Sequence, residues 1–121
     1  MNLETYYEYC LSKNGVTEHF PFDENILVFK VGGKMFALSS LIQWEQGIPS
    51  VNLKCNPERS QELRAEYESI QPGYHMSKVH WNTIIINQEV SDKMIKELID
   101  HSYLLVFQSL TKKIQLEIKE S

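Results

Sequence analysis

The residues best suited to recognition chemistry fall in one stretch, Pro72-Gly73-Tyr74-His75-Met76-Ser77-Lys78-Val79-His80-Trp81-Asn82-Thr83. It gathers two imidazoles, an ammonium, a carboxamide and two large aromatic rings directly before the apolar run Ile84-Ile85-Ile86. Pro72-Gly73 breaks the chain on one side. The β-branched run reads as a buried strand on the other. Groups carried to the edge of a core in this way are pre-positioned to hold a ligand. Lys78 and His80 are two apart, so an extended backbone would send them to one face. The expectation is one concave site in which His75, Lys78, His80, Trp81 and Asn82 converge with Lys30, Lys34 or Lys54. Such a set suits a small anion or a nucleic-acid backbone. The competing reading has the histidines bonding within the fold, Trp81 and Tyr74 in the core, and the lysines splaying into water.

Other chemistry finds little support. His75 and His80 have no carboxylate or cysteine between them, and zinc wants three or four ligands, so no metal is assigned. Glu4 and Glu8 lie at i and i+4, with Asp23 and Glu24 nearby in sequence, and read as solvated acids rather than an iron site. Cys10 and Cys55 form no CxxC and read as small buried apolar residues. There is no GxSxG, phosphate loop or HExxH. Ser102 and Tyr103 fall mid-helix with no identifiable base. The expectation is a non-enzymatic protein with no cofactor.

The totals fit one domain of 121 residues, long enough to bury a core without staples. Net charge is −4 and uneven: residues 1–29 hold one lysine against five acids, while residues 30–80 hold six bases against five acids. An acidic chain binds nucleic acid only through a local patch. No run approaches the ~18 apolar residues of a membrane span. The first residues lack the basic and apolar regions of a secretory signal. With no cysteine framework either, the cytoplasm is the expected compartment.

The elements that must position these groups can be read from periodicity. Leu3, Tyr6, Tyr7, Cys10 and Leu11 trace one helical face, giving a helix over 2–13. Phe20-Pro21-Phe22-Asp23 reads as a loop that plugs the core with two phenylalanines. Residues 26–31 and 34–41 are strand-like on either side of Gly32-Gly33, a hairpin signal. Residues 50–55 form a third strand. Asn56-Pro57-Glu58 starts a second helix that runs to about 68, with Leu63, Tyr67 and Ile70 inward. Residues 74–77 and 81–87 supply two more strands. Ser91 caps a third helix, with Val90 and Ile95 as a hydrophobic staple. In the tail, 114–121, Ile114, Leu116 and Ile118 suit either a short added strand or a frayed helix. The result is an α+β chain with an antiparallel sheet and helices packed on one face.

Several blocks, in order, carry a likeness to a known family: Phe20-Pro21-Phe22-Asp23; Val28-Phe29-Lys30-Val31 with Gly33-Lys34-Met35-Phe36-Ala37; Asn52-Leu53-Lys54-Cys55-Asn56-Pro57; Pro72-Gly73-Tyr74-His75-Met76 with Lys78 and His80-Trp81-Asn82-Thr83; and Leu98-Ile99-Asp100-His101-Ser102-Tyr103. The chain resembles the MmcQ/YjbR family of small bacterial proteins over nearly its whole length, departing only in its longer tail. The resemblance implies a two-layer α-β(3)-α-β(2)-α sandwich, like secretion chaperones and with some likeness to frataxin. It also implies a double-wing DNA-binding surface. The wings would be the Gly32-Gly33 hairpin and the strand pair within 74–87. Lysines would meet phosphates there, and His75, Trp81 and Asn82 would shape the groove. The chaperone likeness implies a second function, a peptide- or protein-binding module. In that reading the tail could pair in trans, so the chain is expected as a monomer or a weak homodimer, with DNA or a polypeptide as partner and no membrane.

Overall fold

The structure, a computed structural model, describes residues 1–74 and 76–120. In chain order its elements are α1 (Leu3–Leu11), β1 (Val16–His19), β2 (Ile26–Val31), β3 (Lys34–Ser40), α2 (Leu41–Glu45), β4 (Ser50–Lys54), α3 (Pro57–Glu66), β5 (Ile70–Pro72), β6 (Trp81–Ile85), α4 (Asp92–Ser109) and α5 (Lys112–Glu120). The helix starts follow side-chain capping. Asn2 accepts from the Thr5 amide, Asn56 from the Glu58 and Arg59 amides, and Ser91 from the Met94 amide. Each cap satisfies donors that the first helical turn leaves unpaired.

The strands form one antiparallel sheet in the order β1-β2-β3-β4-β6-β5. One face of the sheet is covered by helices. Tyr6 and Cys10 of α1, Leu63 of α3, and Ile95, Leu98, Ile99 and Val106 of α4 pack there against Leu27, Phe29, Val51, Leu53 and Ile84 of the strands. The opposite face carries a smaller cluster of Val28, Leu38 and Trp81, with Ile26, Met35 and Met76 against it. The α+β architecture with helices on one face is as the sequence implies.

A β-bulge sits in the middle of the sheet. Phe29 pairs with Ala37, but the next residue, Lys30, pairs with Met35, so Phe36 is extra. The bulge lets Phe36 and Ala37 both enter the main core while Met35 turns to the other face. It also opens a gap in the ladder between β3 and β4. Ser102 of α4 fills that gap. Its hydroxyl donates to the Phe36 carbonyl and accepts from the Lys54 amide at 2.8 Å.

Several expectations are corrected. Phe20 and Phe22 do not plug the core; they are 46% and 63% exposed. The four-residue strand β1 was not foreseen, because only Val16 of Val16-Thr17-Glu18-His19 is apolar. The one-turn helix α2, capped by Ser40, was also missed. The second helix stops at Glu66, and the strand that flanks β6 at the sheet edge is β5, Ile70–Pro72, in place of the one expected at 74–77, of which residue 75 lies outside the described residues. Ile70 pairs with Ile84, and its burial outweighs a continued helix. The tail is a helix folded on its own chain, with Ile118 buried. A Cβ on Gly15, at φ +73°, would lie 2.9 Å from the Ile118 side chain. Such a contact requires glycine on steric and conformational grounds alike.

Candidate binding groove

Alternation along the strands sends every second side chain to the helix-free face. The pairing register arranges these side chains in cross-strand rows. The central row reads His19, Val28, Leu38, Asn52, Thr83 and Gln71 across the sheet. Two residues further along the strands lie Lys30, Met35, Lys54 and Trp81. Two residues the other way lie Ile26, Ser40, Ser50 and Ile85. The face carries no carboxylate at any of these strand positions, although the chain has sixteen acids against twelve bases. Glu18, the strand acid of β1, sits in register with the core residue Phe29 and accepts from the Tyr7 hydroxyl.

Two loops rise beside this face and turn its centre into a groove of about 550 Å³. Ile26, Met35, Leu38, Asn52 and Thr83 lie along the strands of the groove. Phe22, from the loop before β2, walls one side, and Tyr74 and Met76, from the loop before β6, wall the other. Ser40, Gln43 and Ser50 close the end nearest α2. Thr83 ties the second loop to the sheet: its hydroxyl accepts from the Tyr74 amide at 3.1 Å and donates to the Asn52 side chain. The volume falls in the range of small-ligand and side-chain pockets.

The expected site residues divide between the two faces. Lys30 and Lys54 belong to the helix-free face. Trp81 is there too, but it is 8% exposed and packed with Val28 and Leu38, so it supports the groove from beneath. Lys34 does not join them. It turns toward the helices, where its ammonium donates to the Ser109 hydroxyl at 3.4 Å. Asn82 faces the helices as well and is 2% exposed. Its oxygen accepts from Arg64 Nε at 2.7 Å, and its nitrogen donates to the Ser60 hydroxyl. It is a folding residue, not a groove residue. Lys78 and His80 are exposed on the turn that leads into β6. That turn is not extended, so their two-residue spacing does not align them. His75 lies outside the described residues.

The residue that organises the turn, Arg64, was absent from the expected set. Its guanidinium donates to the carbonyls of Lys78 and Trp81 as well as to Asn82, fixing the entry to β6. Asn52 was also missed as a groove residue, since in sequence it looks like the polar half of an ordinary alternating strand, and Thr83, which closes the opening stretch, was given no role. Among the described residues, no three His, Cys, Asp or Glu side chains gather as a metal site. Burial pushes the Cys10 thiol up to about 12, which keeps it protonated and unreactive. No helix is long and apolar enough to cross a membrane among the described residues.

Comparison with known proteins places the chain and its fold in a lineage. A family model described as YjbR matches residues 11–105. The protein YbdF of Escherichia coli O157:H7 is 40% identical over 100 residues, covering 83% of this chain and 80% of that protein. YjbR of Escherichia coli K12 is 29% identical over 103 residues, with 85% of each chain covered. Among solved structures, a Deinococcus radiodurans protein with a DUF419 domain superposes with a TM-score of 0.89 at 36% identity, covering 98% of this chain and 88% of that one. A Pseudomonas syringae protein superposes at 0.74 with 28% identity, over 88% of this chain and 99% of that one. These likenesses establish lineage and fold, and leave activity to the site itself.

Proposed function

The chain belongs to the YjbR family, and on that premise we propose that it is a non-enzymatic binding protein whose helix-free sheet face takes up a segment of polypeptide. One observation carries this reading: an apolar groove sits on a face whose strand-borne charges, Lys30 and Lys54, are both positive. Ile26, Met35, Leu38 and Met76 offer an apolar, partly adaptable lining. Ser40, Gln43, Ser50, Asn52 and Thr83 offer uncharged donors and acceptors that suit a peptide backbone. Recognition by adding a strand to the sheet edge is disfavoured. β1 has only four residues, and β5 has three and ends in Pro72, which has no amide hydrogen to give.

Duplex DNA is the second reading, supported by the shared face of Lys30 and Lys54. The double-wing form of it meets an obstacle in the Gly32-Gly33 hairpin. A Cβ on Gly32 would lie 2.5 Å from the Leu110 side chain, and Lys34 is bonded to Ser109. The hairpin tip is therefore packed against the α4–α5 junction instead of standing free to enter a groove. Phosphate binding would also want cations along the walls, and the walls here are apolar.

An array of random short peptides probed with the labelled whole chain tests the proposal. The expected result is binding to a subset of apolar-containing peptides, lost when Met76, on the groove wall, is replaced by Glu with the melting temperature checked alongside. A labelled duplex is titrated in parallel at ~50 mM salt. Binding to the duplex alone, weakening by roughly 0.9 log unit per log salt for each phosphate contacted, would replace the polypeptide reading with the DNA one.

A further inference from the structure

The helix-free face is polarised along the strand direction, and that polarity bears on what it holds. At one end stand Lys30 and Lys54, two residues beyond the central row. At the other end lies the loop of Asp23, whose carboxylate accepts from the amides of Asn25 and Ile26. Between them is the apolar floor at Leu38, with Met35 in the lysine row between Lys30 and Lys54 and Phe22 at the wall. Resting on the polypeptide reading, we infer that the ligand is an extended segment lying along the strands, with an apolar side chain in the groove and an Asp or Glu side chain two residues away at the Lys30 and Lys54 end.

The spacing follows from strand geometry. Two residues along a strand span ~7 Å, and residues i and i+2 of an extended peptide present side chains to one face at the same spacing. An apolar anchor over Leu38 therefore brings a carboxylate at i+2 beside the two ammonium groups. The face has no strand-borne carboxylate to compete for them. A basic residue at that position of the ligand would meet like charge, which gives the site a discriminating element as well as an attractive one.

The peptides bound on the array supply the probes. The expected consensus is Leu, Ile, Met or Phe with Asp or Glu two positions away. Replacing that acid by Lys should weaken binding at least ~fivefold by anisotropy. The Lys30→Glu/Lys54→Glu chain should then prefer the Lys-bearing peptide, with its melting temperature near that of the parent. If the apolar residue matters and the acid does not, the carboxylate inference is overturned while the polypeptide reading stands. A consensus acid four positions away marks a helical ligand and overturns the extended geometry. If no peptide binds, the polypeptide reading falls and takes this inference with it.

Discussion

Ser102 shows how much one hydroxyl does in this fold. It is fully buried on α4 and stands in for the ladder bond that the bulge at Phe36 removes. Replacing it by Ala leaves the Lys54 amide without that partner, so Ser102→Ala should cost about 1–3 kcal/mol, read from denaturant unfolding. Arg64 acts similarly for the turn before β6. Arg64→Ala should speed amide exchange through residues 78–81 and lower stability by about 2 kcal/mol or more, because it strands the buried Asn82 oxygen. His101 adds a pH dependence. Its Nε2 accepts from the Asn56 amide, and burial, helped by the nearby Arg59 charge, holds its pKa below the usual value. The unfolded chain therefore binds the proton more readily. The stabilisation is complete above about pH 6.5 and is lost as pH falls through the folded value. A melting series from neutral to acidic pH should show this decline, and His101→Gln should flatten that part of it. Neither Ser102 nor Arg64 was legible in the sequence, because each role is created by a partner that is far away along the chain. Trp81 and Asn82 make the same point. Alternation says that they part company, but not which of them faces the groove.

At the scale of elements, the sequence was legible wherever the cause was local. Asn56-Pro57, Ser91 and Gly32-Gly33 announce themselves through caps and turn conformations, and all three act as expected. β1 was hidden because an edge strand with little to bury has no apolar alternation to reveal it. The tail was ambiguous because Ile114, Leu116 and Ile118 fit both periods. Its own chain resolves the choice, since Ile118 packs beside Gly15 while Leu116 stays exposed. Ending the chain at Lys113 should therefore lower the melting temperature by several degrees through lost burial. The tail-paired dimer is a separate matter of sedimentation. A helix already folded in cis predicts the same sedimentation for both chain lengths across micromolar concentrations.

For the whole molecule, the blocks that carry the family likeness were readable in order, and with them the two-layer architecture. The groove was not. It arises where loops from either side of β2 through β6 meet over a sheet face, and no short window of sequence contains both walls. The same distribution leaves an open pleated face with apolar centres, a surface that elsewhere would invite the stacking of like chains. Here the rim decides otherwise. One outer strand is four residues long and the other is three, closed by a proline. A fibril grows by hydrogen bonding edge to edge, and neither rim offers a long enough template to propagate one. A bare sheet face and short, blunted edges can thus coexist, and a concentrated solution held at moderate temperature should remain free of thioflavin-positive material.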